Sequence, residues 1–114
     1  RYTKEGFPTT KENVLITTGS QQGMYILAKF YESKDITIEE PSYLGAMNIF
    51  RLNHLTMKGV ELQKDGINIE KFKESFKQTK LSYLIPDFQN PSATTYSDEK
   101  RKEIAKIVKV ENGI

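Results

Sequence analysis

The hydropathy pattern of these 114 residues predicts an α/β fold: alternating βα units, a mostly parallel sheet, and helices on both of its faces. Three observations support this. Apolar or β-branched runs recur at residues 14–18, 35–39, 55–62 and 81–85. Segments with apolar residues three or four apart separate those runs. Gly, Pro, Asn or Asp stands at the junctions, where ladders end and turns begin.

Val14-Leu15-Ile16-Thr17-Thr18 is closed by Gly19 and fits a buried parallel strand. Ser20 then stands where a helix N-cap or first-turn residue belongs, and Met24, Ile26, Leu27, Phe30 and Tyr31 recur at helical spacing. Residues 35–39 form the second strand, ended by Glu40-Pro41. Leu44, Met47, Ile49, Phe50 and Leu52 mark a helix over residues 43–52. Residues 55–62 give a third strand, Asp65-Gly66 a turn, and Ile69, Phe72 and Phe76 a short helix. Residues 81–85 are a fourth strand that delivers an amide side chain to a loop ahead of Pro91. Ser97 caps the last helix; Asp98 and Glu99 at its start and Lys106 and Lys109 near its end suit the helix dipole. Its Ile104, Ile107 and Val108 would face the core. The predicted order is βαβαβαβα with right-handed crossovers, one unit without internal repeats or a low-complexity linker.

Composition narrows the function classes. The 17 basic and 15 acidic residues leave a net charge of +2 and are scattered, with no run of five like charges, so no nucleic-acid stripe is expected. The chain has no cysteine, which excludes disulfides and cysteine-based metal sites, and the single histidine, His54, builds no zinc site alone. No apolar stretch approaches the roughly 18 residues of a membrane helix, and no hydrophobic region follows Arg1-Tyr2-Thr3-Lys4. No membrane association and cytoplasmic residence are expected. Neither terminus reads as natural: the chain begins without Met and ends at Gly113-Ile114, where a new apolar strand would begin.

In parallel α/β sheets ligands bind beyond the carboxyl ends of the strands. Three such ends here carry suggestive residues: Gly19-Ser20-Gln21, Pro41-Ser42-Tyr43 and Gln89-Asn90-Pro91. Glycine, hydroxyl and amide groups at a helix start suit a phosphate dianion, although Ser20 taken alone reads first as a local N-cap. No lysine follows in a nucleotide-triphosphate loop pattern. Tyr43 could stack on a flat heteroaromatic ring or pack at its helix start. Asn90 could donate to a phenolate oxygen or cap its own turn. Asp87, Tyr96 and His54 are left structural or unassigned. A phosphate cradle, a stacking ring and a phenolate donor together describe pyridoxal 5′-phosphate.

The chain also resembles the pyridoxal-phosphate-dependent class I/II aminotransferases of fold type I. Tyr83, Pro86 and Gln89-Asn90-Pro91 are similar to that family's Tyr-x-x-Pro … Gln-Asn-Pro-Thr-Gly signature. Gly19-Ser20-Gln21-Gln22 resembles the loop of aminoadipate and kynurenine aminotransferase-like enzymes, and Glu40-Pro41-Ser42-Tyr43 their Glu-Pro-x-Tyr. Asp65-Gly66-Ile67 and the span from Ser97 to Arg101 match in order as well. The resemblance implies that Ser20 and Gln21 hold the cofactor phosphate, Tyr43 stacks on its ring, and Asn90 meets its 3′-oxygen. Ser92-Ala93 departs from the usual Thr-Gly, and alanine does not take a positive φ as cheaply as glycine, so a differently shaped loop is expected.

The resemblance further implies an enzyme moving an amino group between an amino acid and a 2-oxo acid, commonly as a homodimer. Its Schiff-base lysine, its acid beside the pyridine nitrogen and its carboxylate-binding arginine come after the segment seen here. No such set follows Asn90. The expectation is therefore a partial cofactor-binding large domain over residues 1–114, inactive by itself and prone to associate through an open strand edge. The alternative is the aminotransferase-like sensor domain of a GntR-type transcription regulator, which would bring nucleic acid in only through a fused DNA-binding domain. Those domains often carry an aromatic at the position of Asn90.

Overall fold

The computed structural model describes residues 4, 6 and 8–114, so the sequence reading of the extreme N-terminus falls largely outside the described residues. The sheet is built around one inner strand, β1 (Asp35–Glu40). Its alternation sends Ile36 and Ile38 to one face and Thr37 and Glu39 to the other, and all four are buried. On one side β1 pairs in parallel with β2 (Thr56–Gln63), with Ile38 opposite Gly59. On the other it pairs in parallel with β4 (Ser82–Tyr83), with Ile38 opposite Tyr83. A short β3 (Gly66–Ile67) folds back antiparallel on β2 through a turn at Lys64-Asp65, giving the sheet order β3-β2-β1-β4.

Helices cover both faces, as predicted. Helices α1 (Ser20–Phe30) and α2 (Leu44–Leu52) lie against Ile36 and Ile38, burying Ala28, Ala46 and Phe50 with Leu55 and Leu81. Helices α3 (Ile69–Thr79) and α4 (Asp98–Glu111) cover the opposite face. There Phe72 and Phe76 stack at 5.2 Å between ring centres and pack with Val60, Ile67 and Tyr96. Ile104, Ile107 and Val108 of α4 close over this cluster as expected. Thr37 finds hydroxyl partners on α3, Ser75 at 2.7 Å and Thr79 at 2.8 Å, so its polar atom is satisfied inside the core. Asn68 and Ser97 cap α3 and α4 by accepting from the N–H of Lys71 and Lys100.

The structure corrects two expectations. Residues 14–18 form no strand. Val14 is extended, but among the described residues no strand lies beside it, and Val14, Leu15 and Ile16 are exposed. A β-branched run sets dihedral preference; a ladder also needs a partner, and this segment instead makes local bonds, such as Thr18 N–H to Gln22 Oε1. The fourth strand is cut to two residues because the N–H of Ile85 goes to the Glu39 side chain, not to a neighbouring strand. The helices marked by Leu27, Phe30, Leu44 and Leu52 form, with these four side chains exposed. After α4 the backbone returns to the free edge of β4. There Ser82 N–H donates to Ile114 O at 2.8 Å and Ile114 N–H to Lys80 O at 2.9 Å, a parallel bridging pattern. Among the described residues, no helix is long and apolar enough to cross a membrane.

Candidate functional site

The loop after β4 is built from its base upward. Tyr96 N–H donates to Pro86 O at 2.9 Å, closing the loop over residues 86–96. From α4, Arg101 donates through Nη2 to Pro86 O and Asp87 Oδ1, through Nη1 to Asp87 Oδ2, and through Nε to Tyr96 O. The guanidinium holds the Asp87 carboxyl below its usual value by that hydrogen bond. Inside the loop, Gln89 N–H donates to Thr94 O and Ala93 N–H to Gln89 O. Asn90, Pro91 and Ser92 sit exposed at the tip.

Beneath the tip lies a buried polar cluster. Glu39, 1% exposed, accepts from Tyr96 Oη at 2.6 Å and Ile85 N at 3.0 Å on one carboxylate oxygen, and from Gln89 Nε2 at 2.8 Å on the other. The second Nε2 proton of Gln89 goes to Pro41 O at 2.8 Å. Burial first, and then the adjacent carboxylate, push the Tyr96 hydroxyl far above its ordinary value, so it stays a donor. Burial, with Glu39 and Tyr43 close by, also raises Tyr83.

Of the four residues predicted to line the site, two sit on loops that this cluster binds together. Tyr43 is the N-cap residue of α2, directly after Pro41-Ser42, and Asn90 directly follows Gln89. Gln89 bonds the β1 side chain and the Pro41 carbonyl, so both loops leave the same, carboxyl end of the parallel strands. The Tyr43 ring lies against the start of α2, where a Cβ on Gly45 would come within 2.5 Å of it; glycine there makes room for the ring. The Ser42 hydroxyl in the same loop is buried without a hydrogen-bond partner.

Ser20 and Gln21 are exposed in the first turn of α1. The preceding Gly19 has φ of 89° and brings no side-chain cap, which leaves the first N–H groups of the helix without a capping side chain among the described residues. At the far end of α1, Tyr31 Oη donates to Lys80 O, just ahead of β4. Tyr43 and Asn90 thus share one end of the sheet, while Ser20 and Gln21 stand at the start of α1. Among the described residues, no hydrogen bond joins Ser20 or Gln21 to Tyr43 or Asn90.

These groups, taken as a donor set, fit pyridoxal phosphate in chemistry. They offer free N–H groups and hydroxyls for an anion, an aromatic ring on a rigid support, a neutral amide and an unpaired buried hydroxyl. Glu39, Gln89 and Tyr96 were not foreseen as a unit. The available signal was the alternation of β1, which puts Glu39 on the same inward face as Thr37. Ala93 takes φ of 61°, so the alanine carries a left-handed backbone that glycine would adopt without strain.

The family model described as aminotransferase class I and II matches residues 1–114, and the chain belongs to that family. It is 36% identical over 107 residues to 2-aminoadipate transaminase of Thermus thermophilus, covering 90% of this chain and 27% of that protein. It is 30% identical over 102 residues to an uncharacterized HTH-type transcriptional regulator of Bacillus subtilis, covering 86% of this chain and 21% of that protein. Among solved structures, α-aminoadipate aminotransferase of Thermus thermophilus, complexed with N-(5′-phosphopyridoxyl)-L-leucine, superposes with a TM-score of 0.84 at 32% identity. That match covers 99% of this chain and 30% of the other. The chain spans about a quarter of the length of the curated relatives it matches.

Proposed function

We propose that this class I and II aminotransferase chain is the cofactor-binding part of the large domain of a pyridoxal-phosphate-dependent aminotransferase, acting between an amino acid and a 2-oxo acid. The reading rests above all on the two loops bearing Tyr43 and Asn90, bound together through Gln89 at the carboxyl end of parallel strands. Ser20 and Gln21, with the free N–H groups of α1, hold the phosphate; the helix dipole favours an anion there. Tyr43 stacks on the ring, a contact contributing about 0.5–1.5 kcal/mol beyond buried area. Asn90 donates to the 3′-oxygen, a bond to a charged acceptor of about 1.5–3 kcal/mol.

When bound, the cofactor supplies the carbonyl that carries the amino group and a ring that withdraws electrons from the reacting carbon. The residues of this chain bind and orient it. The lysine that bonds it and moves the proton, the acid beside the ring nitrogen and the arginine for the substrate carboxylate come from outside these residues, so the isolated chain does not transaminate. The complete protein is a cytoplasmic homodimer in this reading.

The test uses the full-length protein. Pyridoxal phosphate is titrated by its near-visible absorption, the complex is reduced with borohydride, and the labelled peptide is mapped. One stoichiometric lysine outside residues 1–114 is expected, with amino transfer to 2-oxoglutarate. A labelled lysine within these residues, or no cofactor binding, would overturn the reading. The 30% identity to an HTH-type regulator supports a second reading, a cofactor-binding sensor domain fused to a DNA-binding segment. Cofactor-dependent DNA binding without amino transfer would select it.

A further inference from the structure

We propose that Glu39 is a positioning residue: its buried carboxylate, acting through Gln89, sets the position of Asn90 against the loop that carries Tyr43. The inference rests on the cofactor reading given above and adds to it a device that fixes the distance between two ligand-facing side chains.

The hydrogen-bond count at Gln89 carries the argument. Its Nε2 protons go to Glu39 Oε2 and Pro41 O, both at 2.8 Å. Its Oε1 accepts from Ser92 N at 2.9 Å and Ser92 Oγ at 2.6 Å. The amide therefore has no unused donor or acceptor, and its orientation is fixed by charge: turned over, its oxygen would face a carboxylate and a carbonyl. Asn90 lies between the two ends of this brace, with Gln89 held from below and Ser92 held from the side. Glu39 in turn is set by Ile85 N and Tyr96 Oη, which leaves its second oxygen for Gln89.

Among the described residues Glu39 forms no ion pair, and a buried carboxylate without a cationic partner is costly where apolar packing would serve, which points to a role in specifying geometry. Glu39→Gln keeps volume but sets an NH2 group against the NH2 of Gln89, or else turns that group towards Ile85 N–H and Tyr96. Either way the brace loses its match of donors to acceptors.

The test is a double-mutant cycle in the full-length protein, reading pyridoxal phosphate affinity and the position of its near-visible band, with thermal unfolding as a check on folding. Asn90→Ala should weaken binding and shift the band. Glu39→Gln should weaken binding about tenfold and shift the band the same way. The double variant should bind within about twofold of Asn90→Ala alone, because both changes remove one contact. An unchanged affinity in Glu39→Gln, or the same factor lost with and without Asn90, would overturn the positioning role while leaving the cofactor reading intact. No effect of Asn90→Ala on either readout would overturn both. If Glu39→Gln does not fold, Gln89→Met enters the same cycle with the same expectation, since it cuts the brace and leaves Glu39 its other two partners.

Discussion

Arg101 and Asp87 form a two-pronged pair across the base of the 86–96 loop, with Nη2 to Oδ1 at 2.6 Å and Nη1 to Oδ2 at 3.3 Å. The same guanidinium also bonds Pro86 O and Tyr96 O, so one α4 side chain ties both strands of the loop together. Lysine has the charge but not the planar fork. Arg101→Lys is expected to speed amide hydrogen exchange across residues 87–95 about tenfold or more, with little change at Phe72 and Phe76. Equal protection in the variant would show that the fork does not hold the loop.

Ala93 occupies φ of 61°, which costs an L-residue roughly 1–2 kcal/mol. Glycine would remove that strain but gains about 0.4–1 kcal/mol of unfolded-chain freedom. The first effect wins. Ala93→Gly should stabilise the full-length protein by about 0.5–1 kcal/mol in urea unfolding; a loss of stability would contradict the strain argument.

Gly66 has φ of 128°, and a Cβ there would stand 2.8 Å from the Tyr96 ring. The ring has no slack, because its hydroxyl is bonded to Glu39 and it packs with Phe72 and Phe76. Gly66→Ala should destabilise by about 1–3 kcal/mol through overpacking and backbone strain. It should also change cofactor affinity by displacing Tyr96 from Glu39. Calorimetry and a pyridoxal phosphate titration check the two effects separately.

The Tyr96 hydroxyl titrates above its ordinary value near pH 10 because burial and the Glu39 carboxylate disfavour the phenolate. The unfolded chain therefore loses this proton first. The stability involved is whole below about pH 10 and is lost as pH rises past it, by at most about 1.4 kcal/mol per pH unit. Tyr96→Phe should flatten that alkaline decline relative to the parent. At pH 7 it should cost roughly 1.5–3 kcal/mol for the lost bond to a charged acceptor. Parallel pH–stability curves for the two proteins would refute the assignment.

Much of the fold was legible because local rules were enough. The spacing of Phe72 and Phe76, the cap at Ser97 and the alternation of Ile36 and Ile38 each reflect periodicity that the backbone imposes on its neighbours. The loops bearing Tyr43 and Asn90 could be read the same way, since strand ends in parallel sheets carry ligands.

What the sequence determined alone was therefore the α/β class, the four helices, and that the loops bearing Tyr43 and Asn90 leave one end of the sheet. Tertiary structure decided the rest. Residues 14–18 carry strand preference yet form no ladder, because pairing needs a distant partner and dihedral preference does not supply one. Glu39 was unreadable as a brace because its partners Ile85, Gln89 and Tyr96 lie 46 to 57 residues away along the chain. Buried polar groups are set by whichever donors the folded backbone delivers to them, and no local pattern encodes that delivery.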